Sequence, residues 1–206
     1  MAGRFIVFEG GEGSGKTTQV RALRRRLIRR GYSVVVAREP GGTPGGEAIR
    51  RLLRSSHTLS PRVELFLFAA SRALLVDQVI RPALAEGRIV ICDRFSASTI
   101  AYQGYGRELG ASTAAQISDM ATGGLAPDLT VYMDVAPELG LQRKAGVPDR
   151  FERAHLEFHR RVREGYLAQA RLAPELWLMV DASLPPRQVS RQVWSRVGPW
   201  LDAERG

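Results

Sequence analysis

A glycine-rich segment near the N-terminus has the residue types and spacing needed to bind phosphate groups. Residues 10–17 read GGEGSGKT and fit the pattern G-x-x-x-x-G-K-[ST] at every fixed position. Glycines let the backbone curl so that its N–H groups point at phosphate oxygens, and Lys16 would reach the β- and γ-phosphates of a nucleoside triphosphate. The Thr17 hydroxyl would complete the shell of a Mg²⁺ ion. The predicted triphosphate site therefore consists of Gly10, Gly11, Glu12, Gly13, Ser14, Gly15, Lys16, Thr17 and Thr18.

This phosphate loop (residues 10–17) requires a strand before it and a helix after it. The apolar run at 4–8 predicts the strand, and Val20, Leu23 and Leu27 share one face of the predicted helix, which Gly31 ends. These flanking elements favour a working phosphate loop over the alternative, a flexible turn between a strand and a helix.

Strands and helices alternate along the rest of the chain. Further strands are predicted at 33–38, 88–92, 129–135 and 176–180. Helices are predicted at about 46–54, 61–84, 112–122, 137–145, 152–172 and 186–201. This alternation predicts an α/β fold in which helices flank a parallel five-stranded sheet, in a single domain of residues 1–206.

The composition is that of a globular domain with an excess of positive charge. The 206 residues are 44% hydrophobic and 25% charged, which disfavours disorder and a coiled-coil rod. Thirty basic against 21 acidic residues give a net charge of +9, and all the basic residues except Lys16 and Lys144 are arginine. Such a balance indicates a phosphorylated or polyanionic partner without distinguishing a nucleotide from a nucleic acid.

The N-terminal sequence, the apolar stretches and the cysteine content indicate the cellular compartment of the protein. The apolar run before Glu9 is too short for a secretion signal, and charged residues interrupt the longest apolar stretch, 63–80, which predicts a buried helix instead of a membrane span. Cys92 is the single cysteine, so neither an internal disulfide nor a cysteine metal site can form. We expect a cytoplasmic protein without a membrane partner.

An acid and an arginine follow the predicted strand at 88–92. Asp93 and Arg94 would therefore lie at the carboxyl edge of the sheet, where ligands bind in open α/β folds. An ATPase needs only the acid there. The arginine beside it indicates a second anionic group, because its planar fork matches two phosphate oxygens.

Several motifs in one order resemble the thymidylate kinases, which are nucleoside-monophosphate kinases that convert dTMP and ATP to dTDP and ADP. The motifs are FEGGEGSGKTT at 8–18, REPGGT at 38–43, DRFSASTIAYQG at 93–104, PDLTVYMDV at 127–135 and DRFE at 149–152. The resemblance, which runs from residue 5 to about 181, implies the P-loop NTPase fold of these kinases with a short lid at about 143–153. It also implies Mg²⁺, ATP and dTMP as ligands, a role in dTTP synthesis, and a homodimer.

The resemblance assigns four residues to the base of dTMP. Phe68 resembles the aromatic on which thymine stacks, and Arg72 resembles the donor to the base. Four residues apart on a helix, they share a face, and an arginine donor suits O4 of thymine while opposing the amino group of cytosine. Thr99 and Gln103 match positions that the family uses toward the base. From the residues alone, Phe68 in the core and Arg72 at the surface remain an equal alternative.

The resemblance assigns a second group to the phosphate and sugar of dTMP. Arg94 and Arg50 resemble the two arginines that hold the phosphate, with Arg38 beside them, although Arg50 alone would be interpreted as a solvated helix charge. Tyr102 matches the aromatic beneath the sugar, where a 2′-hydroxyl would be crowded. Ordinary helix packing is the alternative for Thr99, Tyr102 and Gln103.

Three acidic residues border the predicted phosphate sites. A carboxylate at Glu12, inside the phosphate loop, would repel phosphates unless a cation or a hydroxyl compensates it. The resemblance implies that Glu12 engages the 3′-hydroxyl of dTMP. We expect Glu9 to take a weaker part in the metal shell, and Asp93 to contact Mg²⁺ through water.

A mobile arginine is the usual device for neutralising charge on the transferring phosphoryl group. Gly11, Glu12, Gly13 and Ser14 fill the variable positions of the phosphate loop without a basic residue, so the resemblance places this arginine in the lid. Arg150 is the candidate, with Arg143, at the ATP side, and Arg153 as support. A solvated basic helix is the alternative. The predicted catalytic residues are Lys16, Arg150, Arg94 and Glu12.

Two rival functions remain open from the sequence. Another nucleoside-monophosphate kinase would share every feature except Phe68, Arg72, Tyr102 and their neighbours. A nucleic-acid-binding ATPase would explain the net charge of +9 and the six arginines of the first helix, which are Arg21, Arg24, Arg25, Arg26, Arg29 and Arg30. Because these arginines cover the polar side of an amphipathic helix, a solvated face is favoured and no nucleic-acid partner is expected.

Overall fold

Five parallel strands form a single sheet in the structure, a computed structural model that describes residues 3–55, 59–144, 151 and 154–203. In chain order the strands are β1 (Arg4–Glu9), β2 (Val34–Arg38), β3 (Ile89–Asp93), β4 (Leu129–Asp134) and β5 (Trp177–Asp181). Their order across the sheet is β2-β3-β1-β4-β5. The predicted α/β fold with a parallel five-stranded sheet is confirmed.

Helices cover both faces of the sheet. They are α1 (Lys16–Arg29), α2 (Pro44–Arg54), α3 (Pro61–Leu75), α4 (Arg81–Ala85), α5 (Ser96–Thr99), α6 (Ala111–Thr122), α7 (Pro137–Gln142), α8 (Leu156–Leu172) and α9 (Pro186–Asp202). Two π-helical segments, Val76–Ile80 and Ile100–Gly106, continue α3 and α5, and a short 3₁₀ turn at Pro174–Leu176 precedes β5.

The side chains of β1 alternate between two hydrophobic cores. Ile6 and Phe8 pack into the core beneath α1 and α9, whereas Phe5 and Val7 pack into the core beneath α3 and α4. A central parallel strand is buried on both faces in this way. The phosphate loop therefore leaves a central strand that is buried on both faces of the sheet.

The helix at 96–106 was not predicted, because its glycines disfavour a helix locally. The structure shows that these glycines permit close helix packing. A Cβ on Gly106 would meet the side chains of Phe158 and Val162 at 2.7 and 2.8 Å, and a Cβ on Gly104 would meet the backbone of Ala111 at 3.1 Å. The glycines let this segment pack closely against α6 and α8, so tertiary contacts override the local preference.

The apolar stretch 63–80 forms most of α3 and the π-helical segment after it, which are buried on one side and expose Val63 and Phe66 on the other. Glu64, Ser71 and Arg72 interrupt it, and all three are buried with hydrogen-bond or ion-pair partners. Within the described ranges, no helix combines the length and the apolar character that crossing a bilayer requires.

Candidate active site

A cavity of about 510 Å³ opens at the carboxyl ends of β1, β2 and β3. This is the edge at which the alternation of strands and helices predicted ligand binding. The predicted residues among its lining are Glu12, Gly13, Ser14, Gly15, Lys16, Thr17, Thr18, Arg38, Arg50, Phe68, Asp93, Arg94, Thr99, Tyr102 and Gln103. Glu9, Gly10, Gly11, Arg72 and Arg143 lie around the cavity without lining it, and Arg150 and Arg153 lie outside the described residues.

The phosphate loop lies against α7, the helix just before the predicted lid. Gly13 has a φ of 65°, in the left-handed region, and a Cβ there would collide with the carbonyl of Gly140 in α7. A Cβ on Gly140 would in turn collide with the carbonyl of Glu12. Two glycines therefore let the loop and α7 meet backbone to backbone.

Lys16 is held inside the phosphate loop. Its Nζ donates to the carbonyls of Gly10 and Gly11 at 3.0 and 2.9 Å and to Ser14 Oγ at 3.2 Å. Burial, together with the positive charge of Arg94, lowers the pKa of Lys16 to about 8, against the opposing effect of nearby carboxylates. The ammonium and the N-terminus of α1 form one anion-binding end of the cavity.

Glu12 is surrounded by positive charge. Arg94 Nη2 donates to its Oε1 at 2.8 Å, Tyr102 OH donates to the same oxygen at 2.8 Å, and Lys144 Nζ lies 3.7 Å from Oε2. Burial would raise the pKa of Glu12, but the charges of Arg94, Lys16 and Lys144 and the Tyr102 hydrogen bond lower it to about 2. Glu12 is therefore an ionised acceptor between two groups of cations.

Arg94 holds an unusual backbone conformation at the end of β3. Its φ is 72°, a costly value for a long side chain. Its N–H donates to the carbonyl of Phe8, and its Nη1 donates to Ser98 Oγ at 3.2 Å and to Tyr166 OH at 3.3 Å. These contacts turn the guanidinium into the cavity beside Glu12.

Glu9 lies beneath this turn instead of in the cavity. Its fully buried carboxylate accepts hydrogen bonds from the N–H groups of Phe95 and Ser98, from Ser98 Oγ at 2.6 Å and from Tyr166 OH at 3.0 Å. Burial raises the pKa of Glu9, against hydrogen bonds from Ser98, Phe95 and Tyr166 and the charge of Arg94. These contacts occupy the carboxylate and do not fit the predicted place in a metal shell. Glu9 fixes the turn that carries Arg94.

Tyr166 was not found from the sequence. It is fully buried on α8, and its hydroxyl contacts Glu9, Ser98 and Arg94. Its only sequence signal is a position on the apolar face of a long helix, which predicts core packing. The polar partners of its hydroxyl come from distant segments of the chain and become visible only in the fold.

Phe68 is half-buried in the cavity wall, and Arg72 lies fully buried behind it. Arg72 donates to the carboxylate of Glu39 from Nε and Nη2, with Nη2 2.6 Å from Oε2. Its Nη2 also donates to Thr99 Oγ1 at 2.9 Å, and one of the two N–H groups on Nη1 donates to Ser118 Oγ. The alternative of a surface arginine is therefore wrong.

Glu39 is the buried counterion of this arginine. Burial raises its pKa to about 7, although Arg72 opposes the shift. Since Glu39 and Thr99 both line the cavity, the Arg72 network forms the floor beneath the predicted base site.

Two further arginines face the cavity near Arg94. Arg50 Nη1 donates to the carbonyl of Pro40 at 2.9 Å, and Arg38 Nη2 contacts Glu47 Oε1 at 2.8 Å. Both side chains line the cavity, so the interpretation of Arg50 as a purely solvated helix charge is not supported. Helix α2 positions Arg50 because the Thr43 side chain caps its first turn, accepting from Gly46 N at 3.0 Å.

Thr17 and Asp93 form a hard oxygen pair at the loop. Thr17 Oγ1 donates to Asp93 Oδ2 at 2.9 Å, and both residues line the cavity. Hydroxyl and carboxylate oxygens suit Mg²⁺. The pair therefore fits the predicted metal, whereas Glu9 does not.

The two basic residues after α7 differ in orientation. Arg143 donates to the carbonyls of Ala182 and Ser183 at 2.6 and 2.9 Å, which fixes the turn after β5. Lys144 instead lines the cavity beside Glu12. Sequence reasoning missed Lys144, although one signal was available. It is one of only two lysines in the chain, and both line this cavity.

A family model described as thymidylate kinase matches residues 8–193. The chain belongs to the thymidylate kinase family. A curated thymidylate kinase from Synechococcus sp. (strain JA-3-3Ab) is 52% identical over 197 residues, which cover 96% of each chain. The thymidylate kinase of Deinococcus radiodurans is 48% identical over 207 residues, covering 99% of this chain and 98% of the relative.

A solved structure shares the fold as well. The crystal structure of thymidylate kinase from Ehrlichia chaffeensis superposes with a TM-score of 0.80 and 35% sequence identity, over 96% of this chain and 99% of that chain. The resemblance to thymidylate kinases that the motifs indicated is confirmed.

Proposed function

We propose that this protein transfers the γ-phosphoryl group of ATP to dTMP, giving dTDP and ADP for dTTP synthesis. One observation carries this assignment beyond the family. The cavity contains two separate anion-binding sites, on either side of the ionised Glu12. One is the phosphate loop with Lys16, and the other is Arg94 at the end of β3. An ATPase needs the first site only, whereas a kinase with a phosphate acceptor needs both.

The reaction requires positioning more than covalent chemistry. An oxygen of the dTMP phosphate attacks the γ-phosphorus, and the bond from that phosphorus to the β–γ bridging oxygen breaks, leaving ADP. The loop N–H groups and Lys16 hold the β- and γ-phosphates. Arg94, with Arg38 and Arg50, holds the acceptor phosphate in line and offsets the repulsion between the two anions.

Glu12 and Tyr102 select the sugar. An ionised Glu12 accepts a hydrogen bond from the 3′-hydroxyl of dTMP, and the cations around it keep it ionised throughout the neutral range. Tyr102, whose hydroxyl already bonds to Glu12 and Arg94, forms the surface beneath the sugar. A 2′-hydroxyl would crowd this ring, which favours deoxyribose.

Thr17 and Asp93 would hold Mg²⁺ beside the phosphate loop, directly and through water respectively. When bound, the ion neutralises charge on the β- and γ-phosphates. The hydrogen bond between the two side chains keeps their oxygens together for this purpose. Glu9 takes no part in this proposal.

Phe68→Ala is expected to raise the KM for dTMP by about 10-fold, because stacking of a base on an aromatic ring contributes about 1–3 kcal/mol. Initial rates of ADP release at varied dTMP measure this change. The KM for ATP is the internal control and should stay unchanged, since Phe68 lies on α3 and is not part of the phosphate loop. An unchanged KM for dTMP would remove Phe68 from the base site.

A coupled ADP-release assay across monophosphates tests the function. We expect dTMP to be the best acceptor among dTMP, dCMP, UMP, CMP, AMP and GMP, with Lys16→Ala as the inactive background. Faster turnover of UMP or CMP would instead make the chain a kinase for another monophosphate. ATPase activity stimulated by DNA without dTMP would support the nucleic-acid alternative.

The arginines of α1 give no support to that alternative. The guanidinium carbons of Arg26 and Arg30 lie 4.1 and 4.9 Å from the ring centroid of Trp194 on α9, and Arg30 also pairs with Asp202. These arginines stabilise the packing of α1 against α9. We therefore propose no nucleic-acid partner.

We propose a cytoplasmic location for the protein, where nucleotide substrates and a single unpaired thiol are expected.

We further propose that the enzyme is a homodimer, as the family resemblance implies, with α3 and α6 at the contact. These helices pack against each other and expose Val63, Phe66 and Met120, of which Phe66 is 59% and Met120 83% exposed. An apolar patch shared by two packed helices is typical of an interface.

The double variant Phe66→Asp/Met120→Asp is expected to be monomeric by sedimentation equilibrium, whereas the wild type sediments as a dimer. Charges at an apolar contact cannot be desolvated without cost. Leu172→Asp is the matched control, because Leu172 is an 86% exposed apolar residue on α8, a helix outside the proposed contact. A wild-type monomer would contradict the proposal.

A further inference from the structure

A buried carboxylate lies behind the base end of the cavity. Glu64 stands one helical turn before Phe68 on α3 and is 1% exposed. Gln103, from the π-helical segment after α5, is also 1% exposed and lines the cavity. The Nε2 of Gln103 donates to Glu64 Oε2 at 3.3 Å.

An arginine on the far side forms an ion pair with Glu64. Arg107 Nη2 lies 3.1 Å from Glu64 Oε1, and the guanidinium rests over Phe158 at 4.8 Å from the ring centroid. An ionised carboxylate only accepts hydrogen bonds. The Gln103 amide must therefore present its NH₂ group to Glu64, which turns its carbonyl oxygen, Oε1, away from Glu64.

We infer that Glu64 is a positioning residue for base selection, which acts by fixing the amide of Gln103 so that Oε1 faces the base. In this orientation Oε1 accepts the N3–H of thymine or uracil. In cytosine, N3 is itself an acceptor, so two lone pairs would meet and a buried group would stay unpaired. A site that hydrogen-bonds one ring edge rejects the other edge strongly for this reason.

The Arg72 network reinforces the same choice. Thr99 and Glu39 hold the guanidinium of Arg72, the residue to which the family resemblance assigns the hydrogen bond to O4 of thymine. Glu64 thus adds a requirement for N3–H to the requirement for a 4-keto oxygen. The inference rests on the proposed function, because it needs a pyrimidine monophosphate in this cavity.

Glu64→Gln tests the inference. The variant keeps the shape of the side chain but carries both a donor and an acceptor, so the Gln103 amide can turn over. The substrates are dTMP and 5-methyl-dCMP, which differ only at the N3 and C4 edge. We expect the ratio of their kcat/KM values to fall by about 10-fold or more, through the KM for dTMP, with kcat for dTMP within about 3-fold of wild type. Glu164→Gln, at an exposed position on α8, is the matched control and should leave the ratio unchanged.

A double-mutant cycle separates positioning from general damage. Gln103→Leu removes the amide, and we expect Glu64→Gln to cause no further loss of the ratio on that background. Additive losses would show that Glu64 does not act through Gln103 and would overturn the inference. An unchanged ratio in a Glu64→Gln variant that unfolds cooperatively near the wild-type Tm would also overturn it.

Arg107→Met tests the same step without altering Glu64, and it decides the matter if Glu64→Gln does not fold. Without the ion pair to Arg107, the Glu64 carboxylate no longer holds the Gln103 amide in one orientation, so the same fall in the ratio is expected. No fall would contradict the inference. If the wild type does not phosphorylate dTMP at all, the proposed function fails; if it does and the ratio is unchanged in these variants, only the role of Glu64 fails.

Discussion

Replacing Arg94 with alanine is expected to lower kcat/KM for dTMP by a factor on the order of 10³. The side chain makes a charge-assisted contact with Glu12 and a hydrogen bond with Tyr102 at the centre of the cavity. Its removal takes away the positive charge that holds the acceptor phosphate against the γ-phosphate. It also removes the largest opposing influence on the pKa of Glu12, which then rises. Initial rates at varied dTMP and saturating ATP measure the loss.

Two further variants define the origin of this effect. Arg94→Lys keeps the charge but loses the planar fork, so we expect it to recover only part of the activity. Arg171→Ala, on the exposed surface of α8, is the matched control and should behave as wild type. The KM for ATP should change little, because the phosphate loop remains intact. Activity of Arg94→Ala within about 10-fold of wild type would show that the acceptor phosphate binds elsewhere.

Arg150→Ala is expected to lower kcat by a factor on the order of 10³ while changing the KM for dTMP only slightly. Arg150 lies outside the described residues. This prediction is therefore based on the DRFE motif and on the lack of a basic residue at positions 11–14 of the phosphate loop. A lid arginine that contacts the moving phosphoryl group binds the transition state more strongly than the substrates. Single-turnover rates at saturating substrates measure the chemical step without product release.

The neighbouring basic residues provide the comparison. Lys144 lines the cavity beside Glu12, whereas Arg143 is held on the 182–183 carbonyls. A large loss of kcat in Lys144→Ala, with little loss in Arg150→Ala, would assign the lid charge to the lysine. Arg160→Ala, at an exposed position on α8, is the neutral control. An unchanged kcat with a raised KM in Arg150→Ala would remove it from the transition state.

Sequence patterns among residues that are close together in the chain predicted most of the fold and the triphosphate half of the site. The phosphate loop is contiguous, and its conformation depends on glycines, one lysine and the flanking elements, all visible in nearby residues. Strand alternation identified the sheet, because its strands are parallel apolar runs and the three central ones, β1, β3 and β4, are buried. The carboxyl edge of the sheet then followed, and with it the position of Asp93 and Arg94.

The environment of the buried charges could not be predicted in the same way. Arg72 pairs with Glu39, which lies 33 residues before it in the chain. Glu9 accepts a hydrogen bond from Tyr166, which lies 157 residues after it. These contacts depend on three-dimensional packing, which also decides that Arg72 lies beneath the cavity and Glu9 outside it. The helix at 96–106 was missed for a related reason, since its glycines are explained only by the helices packed against them.

The most direct test of the two-substrate cavity is a crystal structure with dTMP and a non-hydrolysable ATP analogue. We expect the triphosphate in the loop around Lys16, the dTMP phosphate against Arg94, its 3′-hydroxyl on Glu12 and its thymine on Phe68. Thymine N3 should lie within hydrogen-bond distance of Gln103 Oε1. A dTMP molecule bound outside this cavity, or one with its phosphate turned away from the γ-phosphate, would contradict the account.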